Sequence, residues 1–120
     1  MFDWKKPTVQ MLGRWQPWHD GHTALFKKAI ETTGQVCIMI RNMPENNNNP
    51  FDSVTVKNNI MESLKKEGFL YDVNYTIITV PNVVDISYGR DVGYTITQHD
   101  LGKEIHSISA TKIRNEILSR

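Results

Sequence analysis

Two histidines three positions apart, His19 and His22, lie in the segment GRWQPWHDGH at residues 13–22. If both lie in the first turn of a helix, their imidazoles point to the same side. The N-terminus of a helix favours anions, because its backbone N–H groups are unpaired, and the two glycines of the segment let the backbone approach a ligand. With Arg14 nearby, the segment predicts a cradle for phosphate oxygens. Imidazole can donate hydrogen bonds there, or become cationic if phosphates raise its pKa.

The histidine pair could also have a structural or a metal-binding role. The rings could simply cap a helix and fill space. They could instead bind a metal, although a spacing of three without a nearby third ligand is weak evidence for zinc. The single cysteine, Cys37, excludes an intramolecular disulfide and a cysteine-based zinc site, and its apolar neighbours predict that it belongs to the core.

A second segment with suitable chemistry, ISATKIR, lies at residues 108–114. Ser109 is a good N-cap for a last helix predicted over about residues 109–118. Thr111, Lys112 and Arg114 add a hydroxyl and two cations to its first turns, which again suits phosphate. Taken alone, the segment is also typical of an ordinary N-capped amphipathic helix.

Strands and helices alternate between these two segments. The apolar patterns predict strands at residues 8–13, 36–40, 74–80 and 83–87, with a weaker indication at 94–97. They predict helices at about residues 22–33 and 53–67, the second with Val56, Ile60 and Leu64 on one face, and Gly34 and Gly68 as the stops. This order predicts right-handed crossovers and a mainly parallel sheet, whose ligands bind beyond the carboxyl ends of the strands.

The stretch at residues 41–52 interrupts this rhythm with two prolines and four consecutive asparagines. Such a polar tract has strong turn preference, so we expect a mobile loop there. The loops after the first two strands and after residue 87 should emerge at one edge. Arg41 and Asn42 are candidates for substrate contacts at that edge, as are Arg90 and Asp91, for which a solvated surface ion pair is the alternative.

Composition limits the classes of function. The chain has 120 residues with 14 Lys+Arg and 13 Asp+Glu, a net charge of +1, which does not favour a nucleic-acid or membrane-surface partner. The longest apolar run, at residues 36–40, is too short to span a membrane, and the charged start resembles no signal peptide. We expect one small cytoplasmic domain over residues 1–120, and a homodimer or higher oligomer that covers exposed sheet edges.

Together the two segments resemble both signatures of the nucleotidyltransferase superfamily with the His-x-Gly-His motif. This group includes cytidylyltransferases, pantetheine-phosphate adenylyltransferase and nicotinamide-mononucleotide adenylyltransferases. The resemblance spans nearly the whole chain and implies a Rossmann-like three-layer α/β sandwich. It also implies transfer of a nucleoside monophosphate from a nucleoside triphosphate to a small, phosphorylated acceptor, with release of pyrophosphate. AMP is favoured, because GRWQP and Asn49-Pro50-Phe51 resemble the nicotinamide-mononucleotide enzymes. CMP is the alternative, because Gly89-Arg90-Asp91 is similar to part of glycerol-phosphate-type cytidylyltransferases.

The resemblance assigns roles residue by residue. His19 and His22 match the histidines that stabilise charge on the transferred phosphate, and Thr111 joins them as a catalytic residue. The residues implied to bind nucleotide are Gly13, Arg14, Trp15, Gln16, Pro17, Gly21, Ser109, Thr111 and Arg114. Val56 stands at the position where the family has a cationic side chain on its second helix, and Lys57 is the next residue. Further substrate contacts are expected among Arg41, Asn42, Lys57, Arg90 and Asp91.

The implied cofactor is Mg²⁺ or another divalent cation that enters with the triphosphate. Because the phosphates hold most of its coordination shell, no dedicated metal ligands are expected in the protein. A nucleotide-binding module without turnover, acting as a sensor, is the alternative function. Trp15 and Trp18 suit core packing and a lid over the base equally well. His99 and His106 are expected to be isolated loop or surface histidines.

Overall fold

Three parallel strands and two helices alternate along the chain in the computed structural model, which describes residues 1–90, 93–97 and 99. Their order is β1 (Val9–Gly13), α1 (Asp20–Thr33), β2 (Val36–Arg41), α2 (Ser53–Lys66) and β3 (Tyr75–Val80). The sheet order is β1-β2-β3, with both pairs parallel. The predicted alternation and the parallel sheet are therefore confirmed, with boundaries shifted by one or two residues.

Both helices cover the same face of the sheet. The register places Met11, Ile38 and Ile77 side by side, and side chains two residues apart on a strand share its face. These three belong to one core cluster with the apolar side chains of both helices. The helix residues at its centre are at most 2% exposed and are Phe26, Ala29, Val56, Ile60 and Leu64. The α/β architecture is Rossmann-like, and the described helices form one of its outer layers. The predicted last helix lies outside the described residues.

Caps explain where the helices begin and end. The Asp52 side chain caps α2 by accepting the Thr55 N–H at 2.8 Å. Gly34 ends α1 in the left-handed conformation (φ +84°), and its N–H donates to the Ile30 carbonyl oxygen. The prediction of Gly34 as the stop is confirmed. Within the described ranges, neither helix combines the length and the apolarity that crossing a membrane requires.

Two predicted strands, at residues 83–87 and 94–97, are wrong. Neither stretch has strand structure, and the Val83 N–H donates to the carbonyl oxygen of Pro81, which closes a turn. A strand needs a neighbour as well as an alternating pattern. Here neither stretch pairs with β1 or β3, the two edge strands of the described sheet. The apolar side chains that these patterns would have buried are exposed instead: Val84, Ile86, Tyr94 and Ile96.

The segment between β2 and α2 is a loop, as predicted, but it has local order. Asn46 and Asn49 exchange two backbone hydrogen bonds of 3.0 and 3.1 Å. The Asn46 side chain also accepts the N–H groups of Asn48 and Asn49. Asn49 is only 3% exposed. The asparagine tract is thus a closed turn in the ligand-free structure.

Candidate active site

In the loop after β1, the indole of Trp15 packs directly against Gly13. Trp15 has a left-handed backbone (φ +54°), and its Nε1–H donates to the Met39 carbonyl oxygen at 3.1 Å. A Cβ atom on Gly13 would come within 2.8 Å of the Trp15 ring. Real Cβ atoms do not approach other atoms so closely, so Trp15 could pack here only beside a glycine. The structure thus gives Gly13 a packing role, whereas the sequence pointed only to the approach of a ligand.

The two histidines form a reciprocal cap at the start of α1. The Nδ1 atom of His19 accepts the Gly21 N–H at 3.0 Å, and the Nδ1 atom of His22 accepts the His19 N–H at 3.1 Å. The rings stack with centroids 3.7 Å apart and an interplanar angle of 21°. The expected juxtaposition of the two rings is confirmed. The helix begins earlier than residue 22, because His19 itself supplies the cap.

These contacts determine which nitrogen of each ring carries the proton. A backbone N–H can only donate, so both Nδ1 atoms must be unprotonated acceptors. In the neutral form the proton of each ring is then on Nε2. His19 and His22 therefore present two Nε2–H donors at the N-terminus of α1.

Both rings are neutral near pH 7 in the ligand-free protein. Burial, with a smaller contribution from the neighbouring His19, lowers the pKa of His22 from 6.5 to about 3. Burial also lowers the pKa of His19, against an opposing attraction from Asp20. The sequence left open whether the two imidazoles are neutral hydrogen-bond donors or cations. In the ligand-free protein they are neutral donors.

Two tryptophans enclose His22. Trp15 meets the His22 ring edge-on, with centroids 4.8 Å apart, and Trp18 lies against it at 5.4 Å. The Trp18 Nε1–H donates to the Thr23 hydroxyl at 2.8 Å. The two indoles are only 6% and 5% exposed. They belong to the core, and the lid alternative is wrong for the structure described here. The rings orient His22 instead, a role that sequence reasoning missed.

The loop after β1 is joined to the loop before α2. Gln16 and Phe51 exchange two hydrogen bonds of 3.0 Å, both between the Gln16 side-chain amide and the Phe51 backbone. Arg14 adds a longer bond of 3.4 Å from Nη1 to the side-chain oxygen of Asn49. The sequence indicated residues 49–51 only through a family resemblance. No local pattern signals a partner 35 positions away.

A cleft of about 350 Å³ lies at the carboxyl end of the sheet, on the face that α1 and α2 leave uncovered. Its lining combines apolar side chains with Arg41 and Asp85, and the full set is Leu12, Arg41, Val83, Val84, Asp85 and Ile86. Arg41 donates from Nη2 to Asn82 at 2.8 Å, while its buried Nε has no hydrogen-bond partner among the described residues. Arg41 thus lies at the predicted edge of the sheet, where it lines a cleft.

Other predicted site residues have different surroundings. The Lys57 side chain stacks over the ring of Tyr71, with Nζ 4.9 Å from the ring centroid. Tyr71 lies four residues before the start of β3. Asn42 and Arg90 are exposed, whereas Gly21 is buried in the first turn of α1 and Pro17 is half-buried. The remaining candidates lie outside the described residues, namely Asp91, His106, Ser109, Thr111 and Arg114. Across residues 1–90, 93–97 and 99, no three histidine, cysteine or acidic side chains form a metal-binding group.

Similar proteins point to one class of enzyme, although no family model matches the chain. Nicotinamide-nucleotide adenylyltransferase of Methanococcus aeolicus is 28% identical over 93 residues, which cover 71% of this chain and 54% of that protein. The Methanococcus vannielii protein of the same name is 33% identical over 73 residues, covering 61% of this chain and 41% of that one. The chain thus spans about half, or less, of the length of these relatives.

A solved structure gives a similar result. It is a bifunctional NMN adenylyltransferase/ADP ribose pyrophosphatase from Francisella tularensis, complexed with AMP and a manganese ion. The TM-score is 0.53 at 26% identity, and the match covers 63% of this chain and 23% of that one. Together with the α/β fold and the histidine pair, these likenesses support placing the chain in the nucleotidyltransferase superfamily. Within it, the similar proteins are named adenylyltransferases.

Proposed function

We propose that this protein is a nucleotidyltransferase that transfers AMP from ATP to a small, phosphorylated acceptor and releases pyrophosphate. The observation that carries the proposal is the stacked histidine pair at the N-terminus of α1. Both Nδ1 atoms accept backbone N–H groups, so both Nε2–H groups are oriented before any ligand arrives. Donors fixed in advance suit a phosphate whose negative charge grows in the transition state.

The reaction that this geometry supports is an in-line displacement. An oxygen of the acceptor phosphate forms a bond to the α-phosphorus of ATP. The bond from that phosphorus to the bridging oxygen breaks, and its electron pair leaves with pyrophosphate. The Nε2–H groups of His19 and His22 donate to the oxygens of the transferred phosphate, and no proton leaves the rings. Catalysis then consists of positioning and electrostatic stabilisation, and needs no covalent intermediate.

The triphosphate enters as a complex with a divalent cation, for which we propose Mg²⁺. The donors proposed for the phosphates fit this arrangement, because they are the Nε2–H groups of the two histidines and the Arg14 guanidinium, which bind phosphate oxygens and leave the metal to them. The cation neutralises charge on the phosphates. By resemblance, Ser109, Thr111 and Arg114 bind the β and γ phosphates. Arg114→Ala should accordingly raise the KM for ATP more than it lowers kcat.

For the acceptor, we propose that Arg41 supplies a contact. Arg41 lines the cleft at the carboxyl end of the sheet, and its buried Nε has no partner in the described part of the chain. A phosphate or carboxylate group of the acceptor could take up this unused hydrogen-bonding capacity. Because the similar proteins are named for nicotinamide nucleotide, nicotinamide mononucleotide is the first acceptor to test.

The experiment is a turnover assay with ATP and CTP labelled at the α-phosphate, each offered with nicotinamide mononucleotide and a panel of other phosphorylated acceptors. We expect label transfer from ATP together with pyrophosphate release. Nucleotide binding without transfer to any acceptor would favour the sensor alternative. Competition binding tests the base separately, since CTP binding at least tenfold tighter than ATP would overturn the assignment of AMP.

We also propose that the protein forms a homodimer or a higher oligomer. Several large apolar side chains are exposed near the start of the chain and before β3, among them Trp4, Leu70 and Val73. Light scattering coupled to size-exclusion chromatography measures the mass directly. A mass equal to the 13.9 kDa of one chain would contradict this proposal.

A further inference from the structure

The Gln16 side chain makes a paired contact with one residue of a distant loop. Its Nε2 donates to the Phe51 carbonyl oxygen, and its Oε1 accepts the Phe51 N–H, each at 3.0 Å. One amide thereby satisfies both backbone polar groups of Phe51. Gln16 is only 5% exposed, so water cannot readily replace either bond. We call this pair of hydrogen bonds the Gln16 clamp.

The clamp lies between the N-termini of the two described helices. Gln16 is three residues before His19, the N-cap of α1, and Phe51 immediately precedes Asp52, the N-cap of α2. Both helices follow strands of a parallel sheet, so both N-termini lie at the carboxyl edge where substrates bind in such folds. The clamp is therefore placed to set the separation between the two helix starts.

A second, weaker link lies beside the clamp. Arg14 Nη1 is 3.4 Å from the Asn49 side-chain oxygen, at the upper limit of a hydrogen bond. Asn49 is in turn held by Asn46 through its backbone and side chain. The loop before α2 is thus attached to the loop after β1 through Asn49 as well as Phe51, and the two bonds of the Gln16 clamp are shorter than the Arg14–Asn49 bond.

We propose that Gln16 is a positioning residue, whose amide holds the loop before α2 against the histidine turn so that the two helix N-termini present a single preformed site. This inference rests on the proposed function, because a positioning role requires that the site binds the substrates of nucleotidyl transfer. Gln16 itself need not touch substrate. Its effect passes through Phe51 and the start of α2, and small displacements of such groups can lower a rate by about two orders of magnitude.

The chemistry of the clamp suggests a selective variant. Phe51 needs one acceptor and one donor, and an amide offers both. The substitution Gln16→Glu keeps the shape, but an ionised carboxylate can only accept, which leaves the Phe51 carbonyl oxygen facing a negative charge. Protonation restores the missing donor as an O–H group. Because the introduced carboxyl is buried beside a carbonyl oxygen, its pKa should be raised from the usual value of about 4.3 toward neutrality.

The experiment compares wild type, Gln16→Glu, Gln16→Ala and the control Gln10→Ala at pH 8.0 and 5.5. Gln10 is an exposed glutamine on β1 with no part in the clamp. We expect kcat/KM per folded molecule to fall about 10- to 100-fold in both Gln16 variants at pH 8.0. At pH 5.5, Gln16→Glu should regain at least ~5-fold relative to wild type at the same pH, while Gln16→Ala should not. Gln10→Ala should match wild type at both values.

Amide hydrogen exchange in the absence of ligand provides a readout independent of activity. The Phe51 amide should exchange at least ~10-fold faster in Gln16→Ala than in wild type or Gln10→Ala, because its acceptor is gone. If wild type transfers no nucleotide, the proposed function fails, and this comparison still decides whether the clamp holds the loop.

Two results would overturn the inference. One is a Gln16→Ala protein with a lowered melting temperature but an unchanged kcat/KM, which is the pattern of a purely structural residue. The other is an unchanged exchange rate at Phe51. If Gln16→Ala does not fold, Gln16→Glu replaces it, and the absence of recovery at pH 5.5 then counts against the clamp.

Discussion

Mild acid should destabilise this protein through one partly buried histidine, His22. In the unfolded chain, His22 takes up a proton with a pKa near 6.5, whereas in the folded protein burial and the His19 ring lower its pKa to about 3. Below pH 6.5 the unfolded state therefore binds more protons than the native state. The free energy of unfolding must then fall as the pH falls, and this loss continues until the native ring is protonated as well.

The expected loss follows from the two pKa values of His22. Between pH 7 and pH 5, a group with pKa 6.5 in the unfolded state and about 3 in the native state contributes a loss of about 2 kcal/mol. Any native pKa below about 4 gives nearly the same result, because the native ring is unprotonated at pH 5 in every case. The lowered pKa of His19 has the same sign and adds to the loss. Asp52, whose pKa is lowered from 3.8, titrates below this window.

Urea unfolding at pH 7.0 and 5.0, at one ionic strength, measures the loss directly. His22→Asn removes the titrating group but keeps an acceptor for the His19 N–H, and His99→Asn is the control at a histidine outside the cluster. We expect wild type and His99→Asn to lose at least about 2 kcal/mol between the two pH values, and His22→Asn to lose much less. Equal losses in wild type and His22→Asn would refute the argument that His22 is neutral and partly buried.

Three further predictions concern the same site. Replacing either His19 or His22 by Asn should lower kcat by about 10²–10³ and leave nucleotide affinity within a few-fold, and an unchanged kcat would contradict the proposed role of the Nε2–H groups. Gly13→Ala should destabilise the fold by roughly 1–3 kcal/mol, because the new Cβ would lie 2.8 Å from the buried Trp15 ring, and an unchanged melting temperature in calorimetry would count against this packing. Amide exchange in residues 41–52 should slow when nucleotide and acceptor are added together, and unchanged exchange would argue against closure of this loop.

Local pattern predicted the described helices and three strands because their apolar residues recur at the positions that the fold buries. Val56, Ile60 and Leu64 recur every four positions, and all three are fully buried in α2. The apolar run over β2 is covered on one face by helices, and Cys37 on its other face is 9% exposed. In these elements the apolar residues recur at the positions that are buried, so the sequence alone was sufficient to predict them.

The sequence pattern gave a wrong prediction, or none, where a structural feature depends on a residue far away in the chain. Residues 83–87 have the alternation of a strand, yet they pair with neither β1 nor β3, the two edge strands of the described sheet. The Gln16 clamp joins residues 35 positions apart, and no periodicity records such a contact. The roles of the two tryptophans also depended on where the His22 ring lies. Sequence predicted where in the chain the candidate site lies, but the side-chain contacts that orient its residues came from the folded structure.

The structural role and the proposed catalytic role of the histidine pair are compatible, because they use different atoms. Capping occupies Nδ1 of His19 and Nδ1 of His22, and this occupation places the remaining proton of each ring on Nε2. The cap thus prepares the donors that the proposed reaction requires. Asparagine can imitate the Nδ1 acceptor but has no group at the position of Nε2. An asparagine variant that folds normally and has lost turnover would therefore separate the two functions of one side chain.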